Sequence, residues 1–176
     1  MVPRACVLRG AGRPRRYDGA MRTILTLHPD ARCVAVTAIE AEAERVEAGV
    51  LSLRYRVTGD MDEVALPPAG APERTDELWR RTCFEAFVGA PDEAAYTEIN
   101  LSPSGQWAAY RFDGYREGMA PLDPFGPPGI AVRRTHRSLE VSATLRLDDL
   151  AGSPWRLGLS AVIEEVDGTK SYWALR

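Results

Sequence analysis

The sequence predicts an all-β chain, an antiparallel β-sandwich of jelly-roll-like type with about nine to eleven short strands. Three observations carry the prediction. Apolar residues alternate at period two over short runs, turn clusters rich in Gly, Pro, Asp and Ser recur between those runs, and no long amphipathic helix interrupts them.

The elements follow in chain order. The first twenty residues, "MVPRACVLRGAGRPRRYDGA", are basic and lack the apolar core of a secretory signal. They read as a disordered extension, with a domain over 21–176 that opens at Met21 in "MRTILTLHPD". "CVAVTAIEAE" (33–42) alternates loosely, and its continuation "AEAERVEAG" has helix-forming composition. A strand is preferred because "VLSLRYRVTG" (50–59) follows at once, with Leu51, Leu53, Tyr55 and Val57 on one face. "LPPAGAPERTDE" (66–77) is a loop. In "TCFEAFVGA" (82–90), Phe84, Ala86 and Val88 share one face and Cys83, Glu85 and Phe87 the other. "YTEINLS" (96–102) and "QWAAYRF" (106–112) flank the turn "SPSG". A proline-rich loop (119–129) leads to a hairpin of "IAVRRTH" (130–136) and "SLEVSATLRL" (138–147). The second of these places Leu139, Val141, Ala143, Leu145 and Leu147 inward, and Glu140, Ser142, Thr144 and Arg146 outward. "DDLAG" is a turn or short helical loop, and the last two strands close around Asp167-Gly168.

Composition narrows the function. The chain has 176 residues and a formal net charge of −3, which gives no electrostatic footprint for nucleic acid. Apolar runs are too short to span a bilayer as a helix, so a cytoplasmic chain without membrane partners is expected. Cys6, Cys33 and Cys83 show no CxxC spacing and no paired His. They read as plain thiols in a reducing compartment, with Cys33 and Cys83 inside strands.

The period-two rule extends across the three central strands. Thr97, Ile99 and Leu101 are assigned to the core, as are Ala108, Tyr110 and Phe112. Tyr96, Glu98, Asn100 and Ser102 then fall on the other face, with Trp107, Ala109 and Arg111. If the strands are neighbours, one face collects Glu85, Glu98, Asn100, Trp107 and Arg111, with Trp79 at its rim. Such a set suits a sugar, whose C–H face stacks on an indole and whose hydroxyls pair with carboxylate, amide and guanidinium. The plain alternative is a cross-strand ion-pair ladder of Glu85, Glu98 and Arg111 on a solvated face.

"LWRRTCFEAFV" (78–88) followed by "YTEINLSPSGQWAAYRFDGYREGM" (96–119) resembles the bacterial DOMON-like proteins related to type 9 carbohydrate-binding modules. The matching segments cover about a fifth of the chain. The resemblance implies a β-sandwich and sugar binding. In type 9 modules a Trp precedes the strand whose Glu follows six residues later, as Trp79 precedes Glu85 here. Those modules hold a sugar between two Trp side chains, and Trp173 in "SYWAL" is the matching second wall. Where they carry acidic residues just before the Glu, this chain has "RRTC".

The expectation is therefore a non-catalytic module for a small carbohydrate or polyol. Its ligand-binding residues are Trp79, Glu85, Glu98, Asn100, Arg111 and Trp173, with Trp107, Tyr115 and Arg116 as further candidates; Tyr115 and Arg116 suit a structural staple better than a pocket mouth. No cofactor, metal or catalytic residue is assigned. The alternatives are a haem-binding redox module using His28, His136, Met61 or Met119, a protein-interaction domain, and a glycoside hydrolase with Glu85 and Glu98 as its acid pair. A calcium site at Asp60, Asp62 and Glu63 is a further alternative. Ser102 and Ser104 sit in a turn without a triad motif.

Overall fold

The computed structural model describes residues 19–123, 125–152 and 154–175. The basic leader, apart from Gly19 and Ala20, lies outside them, and so does Cys6. The described chain has no α-helix and forms two antiparallel sheets. The first is built from β1 (Ala20–Ile24), β3 (Val36–Glu47), β4 (Val50–Gly59), β9 (Gly129–Arg134) and β10 (Ser138–Arg146), in the order β1-β3-β4-β10-β9. The second is built from β2 (Thr26–Leu27), β5 (Cys83–Gly89), β6 (Tyr96–Leu101), β7 (Trp107–Phe112), β8 (Ala120–Pro121), β11 (Arg156–Glu164) and β12 (Lys170–Ala174), in the order β2-β12-β11-β5-β6-β7-β8. The twelve strands among the described residues exceed the expected number because β2 and β8 are two-residue pairings inside segments that read as turn-flanked or as loop.

The two sheets bury one core between them. Leu51, Leu53, Tyr55 and Val57 of β4 meet Phe84, Ala86 and Val88 of β5 and Ile99 and Leu101 of β6. Leu139, Val141, Ala143, Leu145 and Leu147 point inward as the alternation predicts. Tyr55 links the layers: its ring lies 5.0 Å from that of Phe84, and its hydroxyl donates to the Glu85 carbonyl at 2.7 Å. That bond satisfies a phenol that would otherwise be buried unpaired.

The "AIEAEAERVE" stretch, whose composition favours helix, is strand through Glu47. The physical reason is the alternation from Ile39 to Glu44. Ala41 and Ala43 are fully buried, while Glu40 and Glu42 face outward. Arg22 pairs with Glu40 at 2.5 Å and Arg54 with Glu42 at 3.2 Å. Each exposed pair adds little, but the pattern fits only a period of two. Cys33 differs from expectation: it lies in the loop before β3, not in a strand, whereas Cys83 begins β5. Both are free thiols. Among the described residues no helix is long and apolar enough to cross a membrane.

Candidate functional site

The outer face of the seven-stranded sheet carries the unusual residues, and register decides which ones. Across β11, β5, β6 and β7, Ser160 lies opposite Glu85, Glu85 opposite Asn100, and Asn100 opposite Ala108. The next row holds Gly158, Phe87, Glu98 and Tyr110. Directly opposed residues share a face, so Glu85, Glu98 and Asn100 come together as expected, in adjacent rows.

Trp107 and Arg111 do not join them. Leu101 pairs with Trp107 and Thr97 with Arg111, which puts both on the inward-facing parity. The Ser102–Gln106 turn sets this register, with Ser102 N–H bonded to the Gln106 carbonyl at 2.9 Å. Trp107 is buried in the inter-sheet core and tilts against Phe125, 5.6 Å between ring centroids. Arg111 is exposed on that parity near the sheet edge. The assignment of Ala108, Tyr110 and Phe112 to the inter-sheet core is corrected by the same shift. They face outward, where they form a second buried cluster with Leu78 and Cys83. "WAAYRF" is apolar at both parities, so alternation alone does not choose between its faces.

Trp173 is likewise displaced from the site. It lies opposite Ala161 and buries its indole in the inter-sheet core, donating its N–H to Ser171 Oγ at 3.0 Å. Tyr172, one residue earlier, takes the outer face opposite Val162, which is itself opposite Cys83. Trp79 does stand at the rim. A 3-10 turn, Leu78–Arg80, presents it half-buried against Tyr110, ring centroids 5.5 Å apart and nearly edge-on. Tyr110 donates to Asp76 at 2.7 Å, and Arg74 lies over its ring. Phe87, Tyr96 and Phe112 extend the aromatic surface; Tyr96 and Phe112 stack at 4.7 Å.

Polar contacts within the site are specific. Ser160 Oγ donates to Glu85 Oε2. Asn100 Nδ2 donates to Glu98 Oε1 at 3.0 Å, and the Cys83 thiol lies 3.9 Å from Asn100 Oδ1. Glu85 and Asn100 are buried, and Glu98 is half-buried. Burial, with the Glu98 charge second, pushes the Glu85 carboxyl up to about 7. Burial also raises Glu98, opposed by the Asn100 hydrogen bond and then by Arg116. The Cys83 thiol rises well above its usual range through burial and the neighbouring Glu85.

The cation that reaches this pair is Arg116, not Arg111. Arg116 sits in the Asp113–Gly118 turn with a left-handed backbone, φ 62°, and its backbone hydrogen-bonds the Tyr96 hydroxyl. Such a conformation is costly for a residue with a side chain. The turn enforces it through Asp113 N–H to the Glu117 carbonyl at 3.0 Å and Glu117 N–H to the Gly114 carbonyl at 3.1 Å. Tyr115 beside it is exposed. Gly118 closes the turn at φ 68°, and a Cβ there would lie 2.0 Å from Asp113 Oδ2. Gly118→Ala is therefore expected to lower stability by more than about 1 kcal/mol in urea unfolding. An unchanged midpoint would refute this account of the turn.

The other candidates are placed elsewhere. Met61 is fully buried in the core and Met119 is exposed. His136 Nδ1 lies 3.0 Å from Asp62 Oδ2, and Arg134 also pairs with Asp62, at 2.7 Å. His28 Nδ1 accepts the Asp30 N–H. Asp60 accepts the Asp62 N–H in its own turn. Among the described residues no group of three or more His, Cys, Asp or Glu side chains is placed to hold a metal ion. Arg116 is a secondary candidate in the sequence, and Ser160 and Tyr172 carry no signal there, because nothing in a linear pattern brings β11 and β12 beside β5.

Fold and site together define an antiparallel β-sandwich with a semi-buried carboxylate–amide cluster beside an aromatic rim. No protein-family model matches the chain, and no curated protein matches its sequence. Solved structures do. A candidate carbohydrate-binding protein from Bacteroides uniformis ATCC 8492 superposes with a TM-score of 0.55 at 12% identity, covering 79% of this chain and 70% of that one. A family 9 carbohydrate-binding module from Caldicellulosiruptor kristjanssonii, in complex with glucose, gives a TM-score of 0.44 at 12% identity over 85% of this chain and 73% of that one. At this identity the first likeness concerns the fold.

Proposed function

We propose that the protein is a non-catalytic binding module that takes a small carbohydrate or similar polyol on the outer face of its seven-stranded sheet. The observation that carries the reading is the gathering of Glu85, Glu98 and Asn100 on one face, with half-buried Trp79 standing beside it. The half-buried Glu98 carboxylate, oriented by Asn100, accepts from ligand hydroxyls in front of the buried Glu85, and an indole at the rim offers a flat surface for the apolar face of a ring. The resemblance of "LWRRTCFEAFV" to type 9 modules supports the choice of ligand, as does the carbohydrate-binding assignment given to the superposable Bacteroides protein.

The test uses intrinsic fluorescence. Of the four tryptophans, Trp107, Trp155 and Trp173 are buried, so a response to ligand reports chiefly on Trp79. Titration with a panel of mono- and disaccharides to millimolar levels is expected to shift or quench that emission. Trp79→Ala, which lacks the reporting indole and is therefore measured by calorimetry, is expected to weaken binding by roughly tenfold or more, while lowering stability by less than about 2 kcal/mol. Unaltered affinity in this variant would remove Trp79 from the site, and silence across the panel would remove the function.

A further inference from the structure

We propose that the site prefers a ligand bearing a protonated amine, an amino sugar or amino-polyol, over a neutral sugar of the same shape. This rests on the binding reading above and adds the chemical class of the ligand. The argument is a balance of charge and of hydrogen-bond donors. Two carboxylates, Glu85 and Glu98, face one another diagonally across adjacent rows of β5 and β6. Among the described residues, Arg116 is the cation that acts on both, and no second Lys or Arg is ion-paired with either.

The remaining groups packed around them carry no charge or are engaged elsewhere. Cys83 lies on β5 and Asn100 on β6, Ser160 on β11 and Tyr172 on β12. Beneath the sheet Tyr55 donates to the Glu85 backbone carbonyl and not to its carboxylate. Lys170, further along β12, pairs with Glu164 at 3.8 Å, and Arg81 pairs with the same Glu164. With both glutamates ionised the cluster therefore keeps one uncompensated negative charge, which is costly in a desolvated place.

The neighbouring strands supply few donors. Ser160 gives one hydrogen bond to Glu85 and Asn100 gives one to Glu98, against roughly four lone-pair sites on each carboxylate. An empty site meets the deficit by holding a proton, consistent with the raised Glu85 carboxyl. An ammonium group meets it with a positive charge and three N–H donors. A neutral hydroxyl supplies a donor and no charge. Because the ammonium displaces the held proton, amine binding is expected to strengthen as pH rises towards about 7, the range in which Glu85 titrates, and to weaken again where the amine itself loses its proton.

The experiment compares D-glucosamine with D-glucose and N-acetyl-D-glucosamine by calorimetry at one ionic strength. At neutral pH the expected result is glucosamine binding about tenfold tighter than either neutral sugar, the factor one unit of pKa displacement represents. Glu98→Gln is expected to bring that ratio towards one, and Arg116→Gln to widen it, since each changes the charge balance in the opposite sense. Glucose or N-acetylglucosamine binding as tightly as glucosamine overturns the proposal and leaves carbohydrate binding standing. A ratio that neither variant moves also overturns it. If none of the three sugars binds, the parent reading falls and this one falls with it.

Discussion

Trp173→Ala is expected to lower the stability of the fold by about 3–5 kcal/mol, the range for deleting a large aromatic side chain from a core. In a domain of this size that corresponds to a fall in Tm of roughly 10 °C. Trp173 is 6% exposed and packs in the inter-sheet cluster, and its indole N–H is satisfied by Ser171 Oγ. Ser171 is fully buried, so the truncation also strands a hydroxyl. Thermal unfolding by circular dichroism checks the expectation. The comparison with Trp79→Ala is the informative part: one tryptophan should report on folding and the other on ligand. A Trp173→Ala protein of near-native Tm that has lost ligand binding would return Trp173 to the site and contradict the register of β11 and β12.

The second large effect is a dependence of stability on pH. Glu85 is raised by burial from its ordinary value of 4.5 to about 7. An acid whose folded pKa lies above its unfolded one stabilises fully below the unfolded value and loses that contribution as pH rises through the folded value. Stability should thus decline between about pH 5 and pH 8, with Glu85 alone supplying about 3 kcal/mol of the change. Glu98, raised in the same direction, adds to it. Glu40 and Asp167, both held below their ordinary values, act with the opposite sign and only in the more acid range, so they leave this window clear. Glu85→Gln keeps the shape and an oxygen for Ser160 to donate to, and it should flatten the profile and raise stability at pH 8. Urea midpoints across that range decide the matter. A flat wild-type profile, or a variant that falls in parallel with wild type, would show that Glu85 is not buried in ionised form.

Both predictions turn on which way a side chain points, and that was only partly legible in the sequence. In β4 and β10 burial alternates with the sequence, and in β5, buried on both faces, Phe84, Ala86 and Val88 take the core side that the pattern assigns. In β7 both parities are apolar, and a one-residue choice exchanged the whole strand between faces. Alternation read from the sequence puts Trp107 and Arg111 with the carboxylates, and the fold holds them on the opposite parity. The replacement for Arg111 as counter-charge is Arg116, whose role depends on a left-handed turn closed by Gly118. Trp79 packs on Tyr110, in the row that holds Glu98, whereas the second wall that the family likeness implies, Trp173, is a core residue here.

The sequence by itself determined the all-β class, most strand boundaries and the core faces of the strands with clean alternation. It also determined the presence of Glu85, Glu98 and Asn100 on a common parity. These are local properties, written in period-two burial and turn chemistry over a few residues. The tertiary structure decided the order of strands in the sheets, the register across the Ser102–Gln106 turn, and therefore which partners the carboxylates meet. Ser160 reaches Glu85 from 75 positions away in the chain, and Arg116 reaches it through a backbone conformation that residue type does not announce. Such contacts depend on sheet pairing over long sequence separations, where the gain is collective packing and no single stretch of residues encodes it.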